Sequence, residues 1–493
     1  MSALRRFSPF SSMRALWVAV LLLLLLAALL VQPIYQPDFW WHVQMGELVL
    51  AEGRVPQADL FSYTVPGRPF LYQSWLAGVV MALSYHAGGA ALVIVGNALL
   101  LLAAYALLLW HCRVEGQNTR LAVAATLLAL VVAAGNWAVR PQTFSVLLFV
   151  ALYSILDRYR QGKRSPLWAA PLILGLWANL HGAFITGFLL LGATLAGEVL
   201  KRWLPGRPLP VMSWRRLGWL ALAAVLSAAA ILANPVGPGI LRYVLTIWGN
   251  PAIRGFIAEW KPTGTEMGTS LIFLGSLVGY LLVLVLRRRY PDPTDLLLLL
   301  ATAWLALGGV RNLLWYGLII APLLVRALAG REEPPDPLPN PVLNTLVVAL
   351  VAAIVLLSTP WLKGLVPLPA NLRGTLAADT PVATCTALRE RGLNGRVFHQ
   401  MESGGYLVWR LWPEVQVFID SRIELYPGGV WEDYLQISAG RPGYQELLDR
   451  YEVQVLVLNR SFQGGLVAQV RESPVWEWVY ENAQEDTVVF HRR

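Results

Sequence analysis

The sequence predicts a polytopic α-helical membrane protein with a small C-terminal α/β domain, and three observations lead there. Of 493 residues, 56% are hydrophobic and only 14% are charged, roughly half the charged share of an ordinary soluble domain. Apolar runs near the length of a bilayer-crossing helix recur along the first three quarters of the chain. The acidic residues are concentrated instead at the far end, where 16 of the 30 lie beyond Ala377. A mean hydropathy of +0.53 agrees with a chain folded mostly in lipid.

The first apolar run, 15–33, follows Arg5, Arg6 and Arg14 as a signal peptide would. No small-residue cleavage site comes after it, so it reads as a retained membrane helix. Ten further runs stand at about 89–111, 120–138, 141–157, 166–180, 182–200, 217–233, 270–286, 294–309, 311–327 and 341–359, about 11 crossings in all. A shorter run, Tyr72 to Tyr85, carries Gln73, Ser74 and Trp75 and reads as re-entrant or interfacial. The basic stretches "DRYRQGKR" (157–164), "KRWLPGRPLPVMSWRR" (201–216), "RRR" (287–289) and "RALAGREE" (326–333) fall between these runs. By the positive-inside rule they are cytoplasmic, which places the N-terminus inside and the tail outside. The net charge of +9 is thereby a membrane-topology signal, and no nucleic-acid partner is expected. Cys112 and Cys385 are too few for a disulfide framework.

Two regions follow: a transmembrane part, 1–375, with a first outer loop at about 34–71, and an extracytoplasmic α/β tail, 376–493. "EEPPDPLPNP" (332–341) is a linker between helices. In the tail, "RVFHQ", "VQVFID", "VQVLVLNR" and a final "TVVFHRR" read as strands, with "GGYLVWRLW" and "YQELLDRY" as helices between them. That order suggests a mostly parallel sheet.

On this topology the outer face collects Asp38, His42, Glu47, Glu52 and Asp59 from the first loop. Later outer turns add Arg140, Gln142, Asn179, His181, Arg254, Glu259, Arg311 and Asn312. Most have an ordinary explanation. Trp40 and Trp41 fit an interfacial aromatic belt, "WWHVQMGELVLAEG" fits an amphipathic surface helix, and Arg311 fits a snorkelling side chain. Asp38 is different, because a carboxylate at a helix mouth beside aromatics must be hydrated, paired or catalytic. In the tail, "VFIDSRIELY" reads as a strand with Asp420, Arg422 and Glu424 on one face, either an ion-paired cluster or an acceptor-binding surface.

The segments "PDFWWHVQMGELVLAEGRVPQADLFSYT" (37–64), "RPQTFS" (140–145), "LWANLHG" (176–182) and "EW" (259–260) resemble the GT-C superfamily of membrane glycosyltransferases. That superfamily includes protein mannosyltransferases, oligosaccharyltransferase catalytic subunits and aminoarabinose transferases, and the layout is shared over roughly residues 10–330. The resemblance implies a polyprenyl-phosphate-linked sugar donor and a saccharide, lipid or protein acceptor. It makes Asp38 the general base, since acceptor activation needs one, and Arg311, Arg140 and Arg254 the groups that bind the donor phosphate. His42, Glu47, Asp59, His181 and Glu259 are candidates to bind or orient the acceptor. The first loop has Asp38 without an Asp-Glu or Asp-x-Asp pair, which leaves a divalent metal, magnesium or manganese, open. A transporter or flippase, or a non-catalytic subunit of a membrane complex, are the alternatives.

Overall fold

The computed structural model describes residues 12–204, 210–243, 258–264, 268–330 and 340–493. The chain gathers into two compact units: Met1–Gln32, Ile94–Gly237 and Ile257–Val366 form one, and Pro33–Val93, Pro238–Phe256 and Pro367–Arg493 the other.

The helices are α1 (Met13–Leu30), α2 (Gln36–Glu52), α3 (Trp75–Gly116), α4 (Thr119–Val132), α5 (Gln142–Arg160), α6 (Ala169–Leu180), α7 (Ile185–Leu200), α8 (Trp214–Ala230), α9 (Gly268–Leu286), α10 (Pro293–Gly308), α11 (Leu313–Leu328) and α12 (Pro341–Ser358). Every apolar run expected from the sequence is helical. The number of crossings is a narrower matter: among the described residues, six helices are both long and apolar enough to span a bilayer, and Thr119–Val132, Ala169–Leu180 and Pro293–Gly308 are apolar but shorter. The run 72–85 is a short helical stretch of its own, set apart from the longer apolar stretch after it by a kink. It opens α3, whose helical geometry is interrupted at Gly88 and Gly89.

In the helical unit, polar side chains set several helix starts by accepting otherwise orphaned backbone N–H groups. Asn118, Ser213, Asp292 and Asn340 do so for α4, α8, α10 and α12. Helix α4 packs on α11, α1 on α12, α7 on α10 and α6 on α8. Lipid supplies no hydrophobic drive between helices, so close approach through small residues has to hold them. Gly317 of α11 shows this: a Cβ there would stand 3.1 Å from the Ala129 carbonyl oxygen of α4.

The basic stretches at the ends of α5, α7 and α11 meet acidic partners in one network. Asp157 takes Arg160 at 2.8 Å and Arg326 at 2.6 Å, while Lys201 joins Glu198 at 2.5 Å and Asp292 at 2.7 Å. Arg160 also reaches Asp295. Buried charges are tolerable only when matched in this way.

The second unit is built on a sheet of β1 (Gly395–His399), β2 (Val415–Val417), β3 (Val455–Asn459), β4 (Trp476–Asn482) and β5 (Thr487–Arg492) in the order β2-β1-β3-β5-β4. The strands β2, β1 and β3 are parallel, whereas β5 runs antiparallel to β3 and β4 antiparallel to β5. The mostly parallel expectation therefore describes half of the sheet. A short connection, residues 483–486, joins β4 to β5 as a hairpin, and a hairpin is necessarily antiparallel. Strand β4 was not anticipated, because "WEWVYEN" mixes charged and aromatic residues without a clear apolar face.

The first-loop segment is part of this unit. Ile34 bridges to Leu376, and Ser62 pairs with Val417 of β2, with Tyr63 N–H donating to the Val417 carbonyl at 3.2 Å. The edge of β2 is thus covered rather than left as an open template for another chain. Helix α2 lies against a helix at Gly404–Leu411. Gly46 of α2 and Gly78 of α3 come so close that a side chain on either would collide with the other helix or with Tyr72.

Candidate functional site

In the sheet-bearing unit, Asp38 stands in the first turn of α2, after Pro37. A carboxylate there meets the exposed N–H groups and the positive end of the helix dipole. That turn is docked by the segment following β2. Ser421 Oγ donates to the Pro37 carbonyl at 2.5 Å, and Trp41 Nε1 donates to Ser421 Oγ at 3.0 Å. At Gly405 a Cβ would lie 3.1 Å from the Pro37 carbonyl oxygen, a close approach that glycine makes without any shift of its neighbour.

His42, one turn on, is buried and shares a 2.8 Å hydrogen bond between its Nδ1 and the Tyr72 hydroxyl. Burial, reinforced by the positive charge of Arg422, pushes its pKa down to about 3, so the ring is neutral. Glu47, farther along α2, receives Trp409 Nε1 at 3.2 Å and His86 Nε2 at 3.0 Å in a partly exposed cluster.

Asp59, Asp420 and Arg422 form a buried ion triad. Arg422 Nε lies 2.9 and 3.0 Å from the two Asp420 oxygens, and its Nη2 reaches Asp420 at 2.6 Å and Asp59 at 2.8 Å. Asp59 also accepts from Ser62 N–H and Ser62 Oγ. The guanidinium sits over the rings of Phe61 and Phe70 at 4.9 and 5.2 Å. The expected strand through "VFIDSRIELY" is not formed: β2 ends at Val417, and 423–425 is a 3-10 turn. The physical reason is that Asp420 folds back to accept Arg422 N–H at 3.0 Å, a side-chain turn that competes with strand pairing. Glu424 is half-buried. Its pKa is pushed up to about 7, first by burial, with the negative charges of Asp38 and Asp420 adding to it and Arg422 opposing.

In the helical unit, the turn Ala258–Trp260 collects two of the sequence-predicted arginines. Glu259 receives Arg140 Nη1 on both oxygens at 3.0 and 2.9 Å, and Arg311 lies over the Trp260 ring at 4.4 Å. Backbone bonds fix that segment: Val310 N–H donates to Lys261 O at 3.2 Å, and Thr263 N–H to Leu307 O at 3.1 Å. The Arg140 side chain is only 12% exposed, yet its buried Nε and Nη2 find no acceptor among the described residues. That edge of a guanidinium is the fork that matches two oxygens of a phosphate.

His181 follows α6. Trp177 Nε1 donates to Ser145 Oγ at 2.7 Å, so the Ser145 hydroxyl is directed to His181 Nδ1 at 2.9 Å, which also accepts Ala183 N–H at 3.2 Å. With Nδ1 an acceptor, the neutral ring carries its proton on Nε2. Ser145 and Trp177 lie inside the quoted motifs but escaped notice because neither is charged. Tyr72 and Ser421 gave no sequence signal for their partners, 30 and 384 residues away. Arg254 lies outside the described residues.

One group among the described residues, His111, Glu115 and Asp157, has ligand-type atoms within 4.8 Å of one another. It does not fit a divalent metal. Asp157 is already held by Arg160 and Arg326, and Glu115 by Lys163 at 2.8 Å, so the negative charge a cation requires is neutralised.

No protein-family model and no curated protein matches the sequence. Solved structures do resemble the chain. The archaeal oligosaccharyltransferase AglB from Archaeoglobus fulgidus, in complex with an inhibitory peptide and a dolichol-phosphate, matches with a TM-score of 0.56 at 12% identity, over 95% of this chain and 73% of that one. ArnT from Cupriavidus metallidurans bound to undecaprenyl phosphate matches with a TM-score of 0.53 at 13% identity, over 97% of both chains. This chain therefore has the fold of the GT-C membrane glycosyltransferases.

Proposed function

We propose that the protein is a membrane glycosyltransferase that moves a sugar from a polyprenyl-phosphate donor to an acceptor on the extracytoplasmic side. The observation that carries this reading is Arg140: a buried guanidinium whose Nη1 is held by Glu259 and whose Nε and Nη2 have no acceptor among the described residues. A lipid-linked phosphate is an anion that enters from the membrane and supplies such oxygens. Leaving those donors without acceptors is costly in a buried site, which argues for a ligand. Arg311, stacked on Trp260 beside the same turn, adds a second cation, and Arg254 remains a candidate from its place in the sequence. The two solved relatives bound to dolichol-phosphate and undecaprenyl phosphate support the same class of donor.

Chemically, the bond from the anomeric carbon to the phosphate oxygen breaks as the acceptor attacks. The arginines stabilise the charge that gathers on the leaving phosphate. Asp38 takes the acceptor proton as general base, and His42, Glu47, Asp59, His181 and Glu259 orient the reactants or the groups that touch them. No step is assigned to a metal. The excess of lysine and arginine in the loops 157–164, 201–216 and 287–289 supports a cytoplasmic location for those loops.

Donor binding by purified protein, measured over a panel of polyprenyl-phosphate sugars, tests the reading. Arg140→Ala removes charge-assisted hydrogen bonds of about 1.5–3 kcal/mol, so donor affinity is expected to fall by roughly tenfold to a hundredfold. Unchanged affinity, or no donor bound by the wild type, overturns it.

A further inference from the structure

The turn that leads into α5 carries a second buried group without a partner, and its polarity is opposite to that of Arg140. Gln142, the first residue of α5, is 3% exposed. Its Nε2 donates to Asn136 Oδ1 at 3.3 Å, which turns its carbonyl oxygen the other way. That oxygen is buried and meets no donor among the described residues. Asn136 and Gln142 thus close a loop, 136–142, and Arg140 lies inside it. The loop is pinned to its surroundings. Asn97 of α3 donates from Nδ2 to the Trp137 carbonyl at 3.2 Å and accepts Thr143 Oγ1 at 2.7 Å. Thr143 N–H in turn donates to Arg140 O at 3.0 Å.

Two unmatched groups therefore stand two residues apart: the N–H fork of Arg140, which needs acceptors, and the carbonyl of Gln142, which needs a donor. Their Cα atoms lie within about 7 Å of each other, a distance that one sugar ring and its phosphate can span. An ionised phosphate supplies oxygens to the fork but has no hydrogen to give the carbonyl. A sugar has several, on its hydroxyls or on an amide N–H. From this loop we propose that Gln142 is a specificity-determining residue for the donor. Its Oε1 accepts a hydrogen bond from a hydroxyl or N–H group of the sugar while Arg140 holds the phosphate. The inference deepens the transferase reading and rests on it.

Rigid placement gives such a contact its power to discriminate. A buried carbonyl that a ligand leaves unmatched is costly, and a site built to hold a hydroxyl rejects a ligand that lacks it. The bond to Asn136 already holds the Gln142 amide, so little side-chain freedom is left to lose on binding. A neutral amide suits the place, because a carboxylate there would repel the phosphate that Arg140 attracts. Tying the loop explains Nε2 but gives Oε1 no purpose in a buried position, where polar atoms are ordinarily paired.

The test compares the affinity of the full-length protein, in lipid nanodiscs, for undecaprenyl phosphate and for undecaprenyl phosphate carrying glucose, mannose, N-acetylglucosamine or arabinose. The wild type is expected to bind at least one sugar-bearing lipid more tightly than the bare phosphate. Gln142→Met, close in size but without the carbonyl, should lower that preference by roughly threefold to tenfold, with the bare lipid bound as before. Arg140→Ala should weaken both and keep the preference. Gln142→Glu retains an accepting oxygen, so it should keep the preference even where its charge weakens both lipids. An equal loss for both lipids in Gln142→Met, as a purely structural role would give, overturns the proposal. So does a preference left intact in that variant, or lost in Gln142→Glu. A wild type that binds the bare lipid without preferring any sugar also overturns it, and leaves the phosphate site standing. If the wild type binds neither the bare lipid nor any sugar-bearing one, the transferase reading fails and this inference with it.

Discussion

Removing Arg422 should destabilise the protein more than almost any other single change in the sheet-bearing unit. Its side chain is 1% exposed, and both carboxylates it holds, Asp59 and Asp420, have fully buried side chains. Arg422→Ala leaves two buried negative charges facing each other and empties the space between Phe61 and Phe70. Breaking a buried ion pair by deleting one partner costs about 3–5 kcal/mol. For a unit of this size each kcal/mol moves the melting temperature by about 2–4 °C, so a fall of roughly 6–20 °C is expected. The assay is thermal unfolding of detergent-purified protein followed by tryptophan fluorescence. A companion variant separates charge from packing: Arg422→Leu combined with Asp59→Asn and Asp420→Asn removes the charges of the triad, and should recover at least half of the loss, because burying neutral amides costs far less than burying unpaired charges. A melting temperature for Arg422→Ala within about 2 °C of wild type would refute the reasoning, since that shift is below the smallest cost expected. A variant that melts normally but no longer transfers would instead give this face a part in acceptor binding.

Asp38→Asn should remove most turnover, by a factor of roughly 10²–10⁴, while donor affinity stays near wild type; full turnover in this variant would return Asp38 to a surface role. His42 gives a pH effect of definite sign. Its folded pKa of about 3 lies below the ordinary 6.5, so its contribution to stability is complete above 6.5 and is lost as pH falls toward 3. By pH 5 the loss is about 2 kcal/mol. His42→Gln, which cannot titrate but can still meet the Tyr72 hydroxyl, should show a flatter melting temperature between pH 7 and 5, and an equally steep decline would discount the histidine. Glu424 works in the opposite direction, because a raised carboxyl pKa contributes stability below the unfolded value that is lost as pH rises through about 7. A reporter fused after Arg493 should be active only outside the cytoplasm, and cytoplasmic activity would reverse the proposed topology.

By itself the sequence determined where the helices are. Membrane helices satisfy their backbone hydrogen bonds within one segment, so apolar length is a local property that can be read from the chain. The runs at 15–33 and 341–359 emerge as α1 and α12 with little change. Charge was legible for the same reason, and it marked Asp38, Arg140, Arg311 and Glu259 as residues in need of an explanation. Only the tertiary structure decided the partners. Arg140 meets Glu259 across 119 positions, and Ser421 meets Pro37 across 384. No periodicity encodes such pairings, because they depend on how separate elements pack. The same limit explains the tail. Its strands β1, β2 and β3 announce themselves through β-branched residues, but the turn at 420–425 was mistaken for a strand because its pattern alternates. A folded-back Asp420 and a buried Arg422 outweighed that pattern, since burying those charges is tolerable only with Asp59, from the distant first loop, beside them.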